Sequence, residues 1–249
     1  MSIANFLKRH VGAPNARRKA WAKHLERVAA KRDLHVYPHH LYWTLPGELT
    51  ELAERWGELA GVPLDRCQTL FSVARSIAAR GLAGDTAECG VRHGKSSFFI
   101  LRGLDDPARL HHLCDSFEGL SQPSDLDAES IARRDGWRAG DLAADEAGVR
   151  ERFREFAQVR FHKGWIPDCF DGLQDRRFAF VHVDVDLYEP TLAAFEFFHP
   201  RLVPGAVMVC DDYGFASCPG ARRAVDEFFA GRADAPIELP SGQALIFHG

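Results

Sequence analysis

The sequence predicts an α/β fold with a doubly wound, mostly parallel seven-stranded sheet, an antiparallel hairpin at the C-terminal edge and an N-terminal helical extension. Two observations support this prediction. From residue 85 onward, short apolar runs alternate with helical segments, an order typical of a parallel sheet covered by helices on both faces. The last two apolar runs are separated only by Pro240–Gln243. This connection is too short for a crossover helix and predicts a hairpin.

The first 82 residues are expected to form the helical extension or lid, packed on a core domain of residues 83–249. Apolar residues recur at helical spacing in residues 17–32, 46–60 and about 70–77, and each segment predicts a helix. Residues 35–43 concentrate histidine and aromatic side chains, and residues 121–150 carry many charges and few large apolar side chains. Both stretches are candidates for binding a substrate.

In the core domain the apolar runs and the helical segments alternate regularly. Strands are predicted at residues 86–91, 110–115, 159–162, 178–185, 206–210, 237–239 and 244–247. Helices are predicted at residues 96–103, 147–157, 190–198 and 219–229.

Composition excludes several classes of partner. The 31 lysines and arginines against 35 aspartates and glutamates give a net charge of −4, so no nucleic-acid partner is expected. The six cysteines form no C-x-x-C pair, which predicts neither a disulfide framework nor a cysteine zinc cluster. No apolar run approaches the roughly 18 residues of a membrane span. We therefore expect a cytoplasmic protein without a membrane partner.

A glycine-containing turn, residues 87–97, joins the first predicted strand to a helix, and glycine there allows a ligand to approach the backbone and the helix N-terminus. Two nucleotide interpretations compete. Gly94-Lys95-Ser96 imitates the end of a phosphate-binding P-loop, but counting from Gly90 the loop is one residue short. The alternative is a class I methyltransferase, with Glu88 ending the first strand and Asp115 at the tip of the second, placed to hold ribose hydroxyls.

Carboxylates follow the next two predicted strands. Asp184 ends one apolar run, and the pair Asp211 and Asp212 ends the next. Ligands of open α/β sheets bind beyond the carboxyl ends of the strands, so these three acids are expected to converge and to need a cation. Oxygen donors suit Mg²⁺, and Asp184 is the best-placed proton acceptor. Asp186 lies nearer to the following helix and is expected to cap it.

The chain resembles the macrocin O-methyltransferase family, bacterial enzymes that methylate sugar hydroxyls of glycosylated antibiotics. The resemblance covers about residues 83–249 and rests on six segments, residues 88–91, 115–120, 182–188, 200–205, 211–214 and 218–222. The chain departs from the family at Arg92-His93-Gly94-Lys95, where the family usually has tryptophan-arginine-glycine-glycine. Lys95 is therefore either a contact to the cofactor carboxylate or a surface residue of the helix, and the surface position is slightly favoured.

The resemblance implies an enzyme that transfers the methyl group of S-adenosylmethionine to a hydroxyl of a small, glycosylated molecule. It implies Mg²⁺ held by Asp184, Asp211 and Asp212, with Asp184 as general base. The expected cofactor-binding residues are Glu88, Gly90, Val91, Gly94, Ser96, Asp115, Ser116 and Phe117. Acceptor selection is expected from the two stretches named above and from Trp137 and Trp165. A P-loop phosphotransferase and a non-catalytic module of the same fold are the alternatives, and the additional N-terminal helices predict a homodimer or higher homo-oligomer.

Overall fold

The computed structural model describes residues 41–57, 61–128 and 136–249. The predicted helix at residues 17–32 and most of the histidine-rich stretch lie outside these residues. The chain divides into two compact units, residues 1–57 and 58–249. The described part of the first unit contains helix α1, Glu48–Trp56, which begins after Gly47. The backbone N–H of Gly47 donates to Thr50 Oγ1 at 3.0 Å, which satisfies one of the groups left open at the helix start.

The second unit contains a seven-stranded sheet in the order β3-β2-β1-β4-β5-β7-β6. Its strands are β1 Asp85–Cys89, β2 His111–Asp115, β3 Val159–Lys163, β4 Phe178–Val183, β5 Leu202–Cys210, β6 Ile237–Glu238 and β7 Ala244–Phe247. The first five strands pair in parallel. Strand β7 pairs antiparallel with both β5 and β6, which confirms the predicted fold class and the antiparallel C-terminal edge.

Helices cover both faces of this sheet. They are α2 Leu64–Ala79, α3 Lys95–Leu104, α4 Glu146–Arg152, α5 Tyr188–Phe198 and α6 Pro219–Phe229. On one face, Leu70 of α2 and Ile100 of α3 pack against Phe180 of β4. On the other face, Phe195 of α5 and Phe229 of α6 belong to a larger cluster. Every residue of β4 is buried, as expected for a central strand with helices on both sides.

Several element boundaries differ from those predicted. Helix α4 ends at Arg152 instead of residue 157, because the next residues turn back and bury the rings of Phe153 and Phe156 against each other. Strand β4 ends at Val183, two residues early, because Asp184 N donates to Cys89 O at 2.9 Å and the chain then turns toward α5. The predicted domain boundary at residue 82 stays a prediction. No described helix is long and apolar enough to cross a membrane.

Candidate active site

A cleft of about 330 Å³ opens at the carboxyl ends of the parallel strands. Strand order places β1 beside β4, with β2 and β3 on one side and β5 on the other. The connections therefore reverse direction between β1 and β4, and ligands of open α/β sheets bind at such a point. The cleft volume falls in the range of small-molecule sites. Of the residues predicted for the site, those that line the cleft are Gly90, Val91, Ser96, Asp115, Ser116, Asp184 and Asp212.

The turn between β1 and α3 forms one wall of the cleft. Gly90 has φ +82°, and a Cβ there would overlap the backbone carbonyl of Asp184. Gly94 has φ +85° and lies against the ring of Phe153, behind the wall. Lys95, the first residue of α3, is half-buried and lines the cleft, so a contact to the cofactor carboxylate and a surface position both stay predictions. Glycine is needed at both positions because the backbone is left-handed and closely approached.

Asp115 fastens this turn to the end of β2. Its Oδ2 accepts hydrogen bonds from Val91 N at 2.6 Å and Arg92 N at 2.8 Å, and its Oδ1 accepts from Phe117 N at 2.6 Å. A carboxylate offers about four lone-pair sites, so these bonds leave acceptor capacity toward the cleft that Asp115 lines. Asp115 therefore shapes the turn as well as presenting an acceptor to a ligand. Phe117 is buried behind the lining residues.

Four aspartates gather at the ends of β4 and β5. Asp184, Asp186 and Asp212 line the cleft, whereas Asp211 is fully buried behind it. A carboxylate oxygen of Asp184 lies within 4.8 Å of one of Asp211, and an oxygen of Asp212 lies within 4.8 Å of one of Asp186. The predicted acids therefore converge, but Asp186 belongs to the group as well.

Burial and mutual repulsion set the protonation of these acids. The pKa of Asp184 is raised well above its usual range by burial and then by the charges of Asp211 and Asp212. The pKa of Asp212 is likewise raised well above its usual range, by burial and then by Asp186 and Asp211. Burial, opposed by a hydrogen bond from Cys218, raises the pKa of Asp186 to about 6. These three acids therefore bind protons more readily than ordinary carboxylates do.

Arg66 of α2 is a counter-cation within this group. Its guanidinium pairs with Asp211 Oδ2 and lies 4.8 Å from the ring centroid of Phe215. Burial alone would lower the pKa of Arg66, but Asp211, Asp184 and Asp212 raise it. Arg66 is separated from Asp211 by 145 residues, and no motif in the sequence marks it. Arg66 is therefore a site residue that was not predicted.

A second cation, His182, lies beneath the acids. Its ring is fully buried and donates to Asp211 Oδ1 at 3.2 Å and to Glu88 Oε1 at 2.8 Å. Burial alone would lower the pKa of His182, but these hydrogen bonds and the two carboxylate charges raise it to about 10. Gln243 Nε2 also donates to Asp211 Oδ1, at 2.7 Å. Hydrogen bonds from His182 and its charge, followed by Arg66, hold the pKa of Asp211 below its ordinary value despite burial.

Glu88 belongs to the sheet interior. Its carboxylate is fully buried and accepts from Ser97 Oγ as well as from His182. Ser97 Oγ is also within 2.9 Å of His111 Nε2, and burial lowers the pKa of His111 to about 3. Because His111 is neutral, His182 is the cation that balances Glu88. His182 lies in β4, where every residue is buried, and its role depends on contacts with Glu88 of β1 and with Asp211 at the end of β5.

The helix-capping role expected of Asp186 is wrong. Helix α5 begins at Tyr188, and the backbone N–H of Tyr188 donates to Asp127 Oδ1 at 2.8 Å. Asp186 has φ +62°, and its backbone N–H donates to Asp212 Oδ2 at 2.9 Å. This conformation turns Asp186 into the cleft, while a carboxylate from a distant loop supplies the cap.

Aromatic side chains form the opposite wall. Trp137, Trp165 and Phe215 line the cleft. Trp137 Nε1 donates to Ser217 O at 2.8 Å, which fixes the indole beside the acids. Trp165 is 38% exposed, which is a large exposed fraction for a tryptophan side chain. Flat apolar rings next to carboxylates suit a ligand that carries both hydroxyls and hydrocarbon faces.

The oxygen donors of the four acids fit a hard divalent cation. Carboxylate oxygens are the ligands that Mg²⁺ prefers, and the raised pKa values of Asp184 and Asp212 reflect negative charge that a cation would relieve. Asp211 already pairs with Arg66, so a metal at Asp211 Oδ2 requires that guanidinium to move aside.

Comparison with known proteins identifies the family. A sequence model described as "Macrocin-O-methyltransferase (TylF)" matches residues 54–240. A tetracenomycin 4'-O-methyltransferase from Streptomyces olivaceus is 36% identical over 181 residues, covering 68% of this chain and 69% of the relative. The mycinamicin III 3''-O-methyltransferase of Micromonospora griseorubida is 31% identical, covering 67% of this chain and 68% of the relative.

Solved structures give the same result for the fold. The O-methyltransferase NovP superposes with a TM-score of 0.65 at 26% identity, covering 76% of this chain and 83% of NovP. The calicheamicin methyltransferase CalS11 superposes with a TM-score of 0.60 at 22% identity, covering 87% of this chain and 95% of CalS11. The relatives named above are O-methyltransferases, and they favour neither the phosphotransferase nor the non-catalytic alternative. The chain belongs to the macrocin O-methyltransferase family and is an S-adenosylmethionine-dependent O-methyltransferase.

Proposed function

We propose that this enzyme methylates a sugar hydroxyl of a glycosylated natural product, with Mg²⁺ at the acids. The observation that carries the proposal is one cleft that joins the glycine turn after β1 to Asp184, Asp186 and Asp212. The relatives support the acceptor class. One is named for a 4'-position on a dimethoxyrhamnosyl tetracenomycin, and another for the 3''-position of mycinamicin III.

The methyl donor would occupy the side of the cleft formed by β1, β2 and α3. Gly90 and Val91 line the cleft there, and Ser96 lies in the first turn of α3. Asp115 ends β2 and Ser116 follows it. Asp115 has the remaining acceptor capacity for ribose hydroxyls, and the cation of Lys95 is available to the donor's carboxylate. Glu88, Gly94 and Phe117 would act from behind this surface, by holding its backbone.

Asp184, Asp211 and Asp212 would hold Mg²⁺, which, when bound, lowers the pKa of an acceptor hydroxyl. Asp184 lines the cleft and would accept the hydroxyl proton. Burial and the neighbouring charges of Asp211 and Asp212 raise its pKa, and a raised pKa makes a carboxylate a better base. His182 and Gln243 would hold one carboxylate oxygen of Asp211 in place by hydrogen bonds. Asp211 thereby keeps a defined orientation before any ligand arrives.

The acceptor would occupy the aromatic side. Trp137 and Trp165 offer flat apolar faces to the C–H faces of a sugar, and the acids offer acceptors to its hydroxyls. Holding the hydroxyl in line with the donor methyl group is the main way such a site accelerates transfer.

Two experiments test the proposal. Thermal unfolding would be followed with S-adenosylhomocysteine and with ATP, each with Mg²⁺ or with EDTA. A ligand at about 100 times its Kd adds about 2.7 kcal/mol, so S-adenosylhomocysteine should raise the Tm and ATP should not. The second experiment assays methyl transfer to a rhamnosylated polyketide and to its aglycone, with and without Mg²⁺. Equal transfer to the aglycone would contradict the sugar acceptor, and unchanged rates in EDTA would contradict the metal.

The variant Asp184→Asn isolates the proposed base. It should lose methyl transfer and keep its affinity for S-adenosylhomocysteine, because the acid lies outside the donor side of the cleft. Asp175→Asn, which changes an exposed aspartate away from the cleft, is the matched control and should behave as wild type. Wild-type turnover by Asp184→Asn would remove that residue from the mechanism.

A further inference from the structure

A cluster of His199, Asp234 and His248 lies apart from the cleft lining. His199 begins the 3₁₀ turn that follows α5, Asp234 lies between α6 and β6, and His248 follows β7. One ligand atom from each lies within 4.8 Å of the others. Three segments that are distant in sequence thus bring two imidazoles and a carboxylate to one point.

His248 gives the strongest indication that this cluster binds a ligand. Its Nδ1 is buried and makes no hydrogen bond with any residue that the structure describes. The backbone of His248 is fixed to β5, because its N donates to Ala206 O at 2.9 Å and its O accepts from Gly205 N at 2.8 Å. The nearest acid, Asp234, has its Oδ2 3.9 Å from Nδ1, which is too long for a hydrogen bond. A buried nitrogen without a partner is costly to keep, whereas a metal ion would satisfy it.

The spacing suits an ion of the size of Zn²⁺. His199 Nε2 lies 2.7 Å from Asp234 Oδ2, and His248 Nδ1 lies 3.9 Å from the same oxygen. Tetrahedral ligands at 2.0–2.2 Å from Zn²⁺ are separated by about 3.3 Å. One contact must therefore lengthen and the other shorten by about 0.6 Å each, which is within reach of small ring rotations.

The surroundings resemble the shell of a metal site. The ring of His199 packs edge-on against Phe228 and Phe229, with centroids 5.2 and 5.5 Å away. It also meets the ring of His248 at 5.1 Å and 86°. His199 Nε2 already lies 2.7 Å from Asp234 Oδ2, so an imidazole and a carboxylate are held together in this cluster. An apolar shell with fixed imidazoles holds ligands in position.

We propose that His199, Asp234 and His248 bind Zn²⁺, with water as the fourth ligand. Two imidazole nitrogens and one carboxylate favour Zn²⁺ over Mg²⁺, which prefers oxygen donors alone. The ion would join the end of α5, the α6–β6 connection and the end of β7. Its role would be structural, because β7 completes the sheet beside β5 and the cluster does not reach the cleft. The site is independent of the Mg²⁺ proposed at the acids.

Titration calorimetry of the chelator-treated enzyme with Zn²⁺ tests this site. Wild type should bind one equivalent that a hundredfold excess of Mg²⁺ does not displace. His248→Ala should weaken this binding at least about tenfold, since even second-shell changes cost 10–100-fold in affinity. His39 and His40 are adjacent histidines elsewhere in the sequence, so a His39→Ala/His40→Ala double variant is the matched control and should retain the site.

Asp234→Asn provides a second variant in case His248→Ala does not fold, since the side chain of Asp234 is 22% exposed. Co²⁺ in place of Zn²⁺ should give the visible absorption of a four- or five-coordinate ion in wild type and lose it in Asp234→Asn. Zn²⁺ should also raise the Tm of wild type but not of either cluster variant. Equal Zn²⁺ affinity in wild type, His248→Ala and Asp234→Asn, or loss of binding only in the His39/His40 control, would overturn the proposal.

Discussion

The backbone of Gly90, in the turn after β1, packs directly against the backbone of Asp184, at the end of β4. The substitution Gly90→Ala tests how much the fold and the cleft depend on this contact. The residue has φ +82°, and an added Cβ would overlap the carbonyl oxygen of Asp184 and lie 2.8 Å from its carbonyl carbon. Ordinary contacts begin at about 3.4 Å, so the backbone of Asp184 would have to move. Asp184 N donates to Cys89 O at 2.9 Å, and that hydrogen bond would be strained by the movement.

Gly172 is the control that separates the cost of the left-handed backbone from the cost of the steric overlap. It has φ +84°, nearly that of Gly90, but nothing lies within 4 Å of its added Cβ. Gly172→Ala should therefore cost only the left-handed backbone, about 1–2 kcal/mol. Gly90→Ala adds overpacking of about 1–3 kcal/mol and a weakened hydrogen bond of about 0.5–1.5 kcal/mol. We expect Gly90→Ala to lower the free energy of unfolding by about 1.5–4.5 kcal/mol more than Gly172→Ala does.

Urea unfolding followed by tryptophan fluorescence measures this difference, and calorimetry with S-adenosylhomocysteine measures the effect on the cleft. Gly90→Ala should also weaken S-adenosylhomocysteine binding, while Gly172→Ala should leave it unchanged. Equal destabilisation by the two substitutions would show that the close approach of Gly90 to Asp184 contributes nothing, and the reasoning would be refuted.

Three further predictions concern the buried cation and the aromatic wall. His182→Leu leaves Glu88 and Asp211 without the cation between them and should destabilise the fold by about 3–5 kcal/mol in urea titrations; failure of an added Glu88→Gln to recover part of this loss would contradict the account. In EDTA, the free energy of unfolding should fall as pH rises from about 6.5 toward 10, because folding raises the pKa of His182 to about 10 and its stabilisation is lost through that window; the fall should be smaller in His182→Leu. Trp137→Phe removes the hydrogen bond to Ser217 O and should raise the acceptor KM more than it lowers kcat; an unchanged KM would remove Trp137 from acceptor binding.

Local patterns were sufficient to predict most of the fold. The β7 strand and helix α6 occupy the predicted residues, because apolar periodicity and flanking proline or glycine mark their ends. Asp184 and Asp212 lie at the cleft, because the carboxyl ends of parallel strands necessarily share one edge of the sheet. The parts that follow from strand direction and periodicity were therefore accessible from the sequence.

The features of the site that were not predicted depend on contacts between residues that are distant in the sequence. Arg66 reaches Asp211 across 145 residues, and Asp127 caps a helix that starts 61 residues later. Glu88 lies next to the expected nucleotide turn, but its carboxylate points into the interior, toward His182 and Ser97. Each of these depends on which side chain faces which across the folded sheet, and a single sequence does not carry that information.

The cleft combines two kinds of support, and this has a consequence for redesign. Asp211 is held by His182 of β4 and by Gln243, which precedes β7, whereas the aromatic wall is formed by Trp137, Trp165 and Phe215 on connecting segments. Substitutions of Trp137 and Trp165 leave the hydrogen bonds to Asp211 intact, whereas Phe215 also packs on Arg66, which pairs with Asp211. Mutant libraries confined to Trp137 and Trp165 therefore offer a route to new glycosides in which the acids keep their supports.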